Sequence, residues 1–497
     1  MSKEKTKKAP ETSNQGLKID RKTLITLTAL LLGVMALAGI LTQTIPRGEY
    51  AVDAEGTVIN GTYERLPDYR LPLWQVLASP VLIFAKGEAL TAVAIILFIV
   101  LIGGTFLILD KSGVLRYIMS FIVKKYEHKK YFLLAAVVFL LMTLSSVIGI
   151  LEESLVLVPL AVAIALALGW DSFVGLGMSL VAVAFGYTAS TFNPFTVVLV
   201  QSLAGIPIYS GLWYRLIFFA VAYTILILFL VRYAKKVETH PKKSLAYESD
   251  KAVRAKYAMG VDEALLQDEN MRKAARTFVG CLLGVFVAVV VSFVLQNSES
   301  VPVSLSGLTG YIPTIAMALL FTIGGLLAGR KAGIRKNQLF SVFRQGVKTI
   351  APAIPMILLV VCVAFVLKEG KIVHTLLYWV YEGIKDLSPS VTLLAIFAFI
   401  TSLEFFVGSG TAKAFLVLPI VLPLAGMVGL TGQSVLLAFM MSDGFFNIFF
   451  PTSGIMIIAI GLVGISYGKY MRWFWKLFAL EIAMAVALML IAVAIGY

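Results

Sequence analysis

Apolar residues fill most of the chain in blocks of about twenty, the length that carries an α-helix across a bilayer. Plain blocks lie near 24–45, 88–109 and 213–231, then near 277–295, 311–329, 350–367 and 473–496. Four further blocks, 131–168, 172–206, 390–426 and 433–464, are interrupted by polar knots. Backbone polar groups cannot be left bare in lipid, so an interruption at membrane depth must line a cavity inside the protein. In 131–168 the knot is Gly149-Ile150-Leu151-Glu152-Glu153-Ser154, which predicts a re-entrant hairpin. In 172–206 it runs from Gly186 through Thr188, Ser190, Thr191 and Asn193 to Pro194, which predicts a helix broken at a proline. The second half repeats the order. A hairpin turns at Gly408-Ser409-Gly410-Thr411-Ala412-Lys413, and a broken helix carries Ser442-Asp443-Gly444-Phe445-Phe446-Asn447, then Pro451-Thr452-Ser453-Gly454.

The repeat holds in register. Val158-Pro159-Leu160 matches Leu418-Pro419-Ile420, Asp171-Ser172 matches Gln433-Ser434, Pro194 matches Pro451, and Leu203-Ala204-Gly205-Ile206 matches Leu462-Val463-Gly464-Ile465. Lysine and arginine concentrate in 1–22, 110–130, 232–276 and 330–336, the pattern of cytoplasmic segments. Parity then puts the N-terminus and the 232–276 linker inside and Tyr497 outside. The helix at 277–295 is an extra crossing, so the second half is inverted relative to the first. The expected organisation is a basic tail (1–23), a first repeat (24–231), the linker, a connecting helix (277–295) and a second repeat (311–497). It contains about nine spanning helices, two of them broken, and two re-entrant hairpins. Short amphipathic stretches at 112–124 and 372–386 read as interfacial elements. Inverted repeats with broken helices mark secondary transporters, with sites near the midplane.

Composition agrees. Of 497 residues, 59% are hydrophobic and 14% charged, where soluble domains carry about 25% charged residues. The net charge of +14 sits in the loops, which argues for membrane topology and against nucleic acid as a partner. Two cysteines and three isolated histidines give no disulfide framework and no metal-ligand spacing. No cofactor is expected, and the chain is not read as an enzyme, because no nucleophile–base pair stands out.

The candidate chemistry lies in the four knots. Released N–H groups suit anions and released C=O groups suit cations, while hydroxyls and amides coordinate either. Glu152 and Glu153 read as a proton, cation or amine site, or as residues of a shallow hairpin in water. Lys413 reads as the partner of a substrate carboxylate or, by the repeat offset, of Glu153. Asp443 holds a cation or an amine, or caps a half-helix. The expected lining comprises Glu152, Glu153, Ser154, Thr188, Ser190, Thr191, Asn193, Ser409, Gly410, Thr411, Lys413, Asp443, Asn447, Thr452 and Ser453, with Gly186, Pro194, Gly444 and Pro451 making the breaks. Glu404 is a weaker candidate, and Glu481 reads as structural or interfacial. The glycines at 408–410 lack phosphate-loop spacing.

Asn193-Pro194-Phe195 with Gln201-Ser202-Leu203-Ala204-Gly205-Ile206-Pro207, together with Asp443-Gly444-Phe445-Phe446-Asn447 and Pro451-Thr452-Ser453-Gly454, resembles the YfcC family. That family is similar to the DcuC C4-dicarboxylate carriers and the AbgT transporters of the ion transporter superfamily. The resemblance spans about 20–490. It implies an all-α elevator-type secondary transporter, usually a homodimer, in a bacterial inner membrane. Its hairpins and broken helices would move against a scaffold of flanking helices. The fold relatives carry Ser-Asn-Thr at their sodium-binding tips, and this chain carries Glu152-Glu153-Ser154 and Ser409-Gly410-Thr411 instead. The expected substrate is a small charged metabolite, first a basic or zwitterionic amino acid and otherwise a dicarboxylate. Transport would be antiport, or symport with H+ or Na+.

Overall fold

The computed structural model describes residues 21–51, 59, 61–67, 70–85, 89–152, 154–251, 262–296, 312–351, 354–384 and 387–497. Most of these residues are helical, and a two-stranded ladder, β1 (Gly48–Glu49) and β2 (Glu64–Arg65), is antiparallel with Gly48 opposite Arg65. In chain order the helices are α1 (Arg21–Thr44), α2 (Leu73–Ala85), α3 (Ala89–Lys111), α4 (Val114–Tyr126), α5 (Lys130–Ile148), α6 (Ser154–Ala167), α7 (Ser172–Thr188), α8 (Leu199–Leu203) and α9 (Leu212–Thr239). They continue as α10 (Glu263–Gln267), α11 (Glu269–Gln296), α12 (Ile312–Lys331), α13 (Lys336–Ile350), α14 (Ile354–Gly370), α15 (Val373–Ile384), α16 (Pro389–Glu404), α17 (Gly410–Met427), α18 (Gly432–Asp443), α19 (Gly454–Val463) and α20 (Tyr467–Ala494). By length and composition, α5, α9, α17 and α20 are apolar enough to cross a membrane.

Every polar knot coincides with a helix interruption. The chain leaves α5 through Gly149 in the left-handed region and re-enters a helix at Ser154. After α7 it loses helical hydrogen bonding over 189–193 and resumes at Pro194 in a π-helical turn that leads into α8. Proline supplies no N–H and disfavours helical geometry in the residue before it, so Asn193-Pro194 cannot continue α7. The second half does the same between Glu404 and Gly410 and between Asp443 and Gly454. The helices that follow each hairpin start on side-chain caps. Asp171 Oδ1 accepts from Val174 N (3.0 Å), and Thr431 Oγ1 accepts from Ser434 N (3.1 Å). Gly169 and Gly429, 260 positions apart, both precede these caps with positive φ (87° and 82°).

The helices pack in two groups. One consists of α1, α2, α3, α11, α12, α13 and α14, with α11 on α12, α3 between α12 and α13, and α14 on α1 and α2. The other consists of both hairpins, both broken helices, α9 and α20. The last helix of each half therefore belongs with the hairpins, not with the flanking scaffold expected from the sequence. The reason lies in α9, whose buried residues Tyr214, Phe218, Ala222, Leu226, Leu230 and Ala234 recur every fourth position and face the hairpin side.

The basic segments meet at one end. Lys130 pairs with Glu238, Arg116 with Asp262 (3.2 Å) and Lys124 with Glu263 (3.3 Å), while Lys331 donates to Thr277 (2.7 Å). Asp171 lies there too, accepting from Tyr233 (2.7 Å) and Ser244 (2.6 Å). At the opposite end Gln201, Ser210, Gln433 and Tyr497 interlock through Arg215, and Tyr50 N donates to His374 Nδ1 (3.0 Å) near the Glu49–Lys371 pair.

Candidate functional site

Each hairpin tip rests on the break of its own half. In the first, one carbonyl, Ser146 O, accepts from three successive amides: Thr191 N (3.0 Å), Phe192 N (3.2 Å) and Asn193 N (3.2 Å). Ser146 Oγ donates to Ala189 O (2.7 Å) and also lies 3.0 Å from Thr191 Oγ1. The donors released by the break are thus absorbed by the hairpin rather than left for an anion. Asn193 Oδ1 accepts from Phe195 N (2.9 Å), and its amide donates to Ser190 Oγ (3.1 Å). Arg215, fully buried, donates to Thr191 O (3.3 Å) from behind.

In the second half the contact is ionic. Lys413, in the first turn of α17, is fully buried between Glu404 at the end of α16 and Asp443 at the end of α18. Its Nζ lies 2.8 Å from Asp443 Oδ1 and pairs with Glu404 Oε2. Asp443 Oδ2 is buried and takes no hydrogen bond from any described residue. It faces the start of α17 closely enough that a β-carbon on Gly410 would overlap it. Asn447 Nδ2 donates to Asp443 O (2.9 Å), and Tyr470 and Tyr467 of α20 donate to the break carbonyls of Ile448 (2.9 Å) and Phe449 (3.0 Å).

The two breaks touch. A β-carbon on Gly444 would stand 2.7 Å from Thr188 N and 2.9 Å from Thr188 Oγ1, and the rings of Phe185 and Phe445 meet edge to face at 5.3 Å. Thr188 Oγ1 is buried without a hydrogen-bond partner among the described residues, as is Ser453 Oγ at the start of α19. The first tip reaches the same region. Glu152 is solvent-exposed and lies within electrostatic reach of Asp443.

The expected lining therefore divides. Lys413, Asp443, Gly410, Gly444, Asn447, Thr188 and Glu152 converge. Thr191 and Asn193, with Gly186 pressed against Met142 O, hold the first hairpin to its break. Ser154 and Ser190 serve local turns, donating to Leu151 O (2.7 Å) and to Tyr187 O. Ser409 caps α17 through Ala412 N (3.4 Å), Thr411 is exposed, Thr452 is buried and Pro451 half-buried in the second break. Glu153 lies outside the described residues. Lys413 meets Glu404 and Asp443, and Glu404, the weaker candidate, is central. Reasoning from the sequence passed over Ser146 and Arg215. The signals were present: a Ser145-Ser146 pair just before the first tip, and a lone arginine inside the apolar run of α9.

Interrupted helices and hairpin tips converging on buried charge define a membrane transporter. Residues 24–494 match the family described as "DcuC: C4-dicarboxylate anaerobic carrier", and the chain belongs to that family. It is 28% identical over 418 residues to an Escherichia coli (strain K12) protein named "Putative basic amino acid antiporter YfcC", covering 82% of this chain and 79% of that one. It is 24% identical to an uncharacterized Haemophilus influenzae protein over 84% of this chain and 77% of that one. Among solved structures it is similar to the YdaH transporter of Alcanivorax borkumensis (16% identity, TM-score 0.42, 95% of this chain and 98% of that one). It is likewise similar to MtrF of Neisseria gonorrhoeae (16% identity, TM-score 0.44, 95% of each chain).

Proposed function

We propose that the chain is a secondary active transporter of a small cationic or zwitterionic amino acid, driven by an ion gradient or by exchange. The carrying observation is the charge balance around Lys413. Two buried carboxylates, Glu404 and Asp443, face one ammonium, which leaves one negative charge in excess, and the exposed Glu152 lies within electrostatic reach of Asp443. Excess buried charge is costly and is relieved by recruiting an opposite charge. Asp443 Oδ2 and Thr188 Oγ1, each buried without a hydrogen-bond partner among the described residues, are the acceptors an incoming ammonium would use.

The two halves act as inverted units, each supplying a hairpin and a broken helix to one mobile core. The opposite ends at which Asp171 and Thr431 sit support that reading. The name of the Escherichia coli relative points to a basic amino acid, and the family description points to a C4-dicarboxylate. For a dicarboxylate, Lys413 would have to give up Glu404 or Asp443.

Calorimetric titration of the purified protein with arginine and with succinate tests the reading. Arginine should bind, and Asp443→Asn should weaken it by at least tenfold, about 1.4 kcal/mol, the scale of one charge-assisted hydrogen bond. Succinate binding without arginine binding would transfer the site to the dicarboxylate reading. Binding of both ligands unchanged in Asp443→Asn would overturn the site.

A further inference from the structure

The inward face of α20 is apolar and aromatic at Trp473, Phe474, Leu477, Met484, Ala485 and Leu488, with one exception in the middle. Glu481 is 1% exposed, and neither carboxylate oxygen has a hydrogen-bond partner among the described residues. No lysine, arginine or histidine pairs with it there. Of the elements packed on α20, α19 has no titratable residue. Helices α16 and α18 present Glu404 and Asp443, both of which face Lys413 rather than Glu481. Helix α9 turns Tyr214 and Arg215 inward, and both are engaged elsewhere, Tyr214 on Leu488 O (2.5 Å) and Arg215 on Ser210 O (2.8 Å). Its other titratable groups, Tyr223, Arg232, Tyr233, Lys235, Lys236 and Glu238, include Tyr223 on Ala135 O (3.2 Å), Tyr233 on Asp171 and Glu238 on Lys130. On α20 itself Tyr467 and Tyr470 serve the break carbonyls, and Lys469, Arg472 and Lys476 lie in its first three turns.

A carboxylate so enclosed, with neither counter-ion nor donor among the described residues, is most stable as the neutral acid. The position is also tied to the second break. Phe478, less than one turn before Glu481, stacks on Phe445 (5.3 Å) and Phe449 (3.8 Å), the aromatic residues that follow Asp443. Movement of that break therefore disturbs the packing beside Glu481.

We infer that Glu481 is a proton-binding site: it carries a proton in this conformation and releases it when the break beside Phe478 opens. The bond made and broken is the carboxyl O–H, with water on one side of the membrane as donor and water on the other as acceptor. The inference deepens the transporter reading and rests on it for the coupling, but not for the protonated state.

Two measurements on the full chain test it. Infrared spectra of the reconstituted protein at pH 7 should show a protonated-carboxyl C=O band that is lost in Glu481→Gln and kept in Glu481→Asp. In proteoliposomes, an imposed pH gradient should stimulate uptake of labelled arginine or succinate several-fold over the gradient-free rate. That ratio should fall to one in Glu481→Gln and be partly restored in Glu481→Asp. Identical carboxyl bands in wild type and Glu481→Gln would overturn the site. So would full gradient stimulation in Glu481→Gln. If wild type moves neither probe while the band behaves as stated, the substrate reading fails and the proton site stands. Glu481→Met, which fills the same space, controls for packing.

Discussion

Lys413 is buried between two acids, which outnumber the single ammonium they hold. Removing one member of a buried ion pair typically costs about 3–5 kcal/mol, because the partner's charge stays behind uncompensated. Lys413→Met strands two carboxylates, so its melting temperature in detergent should fall well below wild type. Glu404→Gln leaves a neutral Lys413–Asp443 pair and should melt at or above wild type. The triple change Lys413→Met, Glu404→Gln, Asp443→Asn removes all three charges and should recover most of the loss. Thermal unfolding of the three variants gives the order. A Lys413→Met protein as stable as wild type would mean that the ammonium is not buried between two ionised acids.

At the scale of elements, the breaks depend on how closely two backbones approach. Gly444 has ordinary helical φ, so its lack of a side chain serves contact with Thr188 rather than conformation. Gly444→Ala would drive a methyl against a backbone nitrogen, which cannot swing aside, at a cost of about 1–3 kcal/mol. Gly408→Ala meets nothing nearer than 3.9 Å and should be silent. Equal melting temperatures for the two variants would show that the breaks do not touch. The interruptions themselves were legible in the sequence, since glycine, proline and hydroxyl residues punctuate apolar runs and leave little else for the chain to do. Helices α2 and α13 were not legible. The first carries Pro80, and the second is polar enough on one face to read as a loop. The partners of Lys413 were not legible either. A repeat offset finds equivalent positions, which led to Glu153, whereas contact is set by how α16, α17 and α18 pack, which brings together residues 9 and 30 positions away.

For the whole molecule, the packing divides the chain into a frame of α1–α3 and α11–α14 and a core of hairpins, broken helices, α9 and α20. One place on the seam between them is purely apolar. Phe106 of α3, Leu115 and Met119 of α4 and Ala163 of α6 form a small apolar cluster separate from the main one. A small cluster that joins elements through apolar contact alone can slide, because dispersion contacts have no fixed register to break. Alternating access by movement of the core against the frame requires this seam to shift. Within the core, α16 and the second break should keep their contact, as in the Phe397–Phe446 ring pair at 6.2 Å. With Cys281 and Cys362 replaced, a disulfide between Met119→Cys and Ala163→Cys should arrest uptake of whichever labelled probe, arginine or succinate, the protein moves, and reduction should restore it. A disulfide between Phe397→Cys and Phe446→Cys should leave uptake sensitive only to the substitutions themselves, the same before and after reduction. If the seam disulfide forms and uptake continues, the core does not move relative to α4, and the mobile unit must be sought among the hairpins alone.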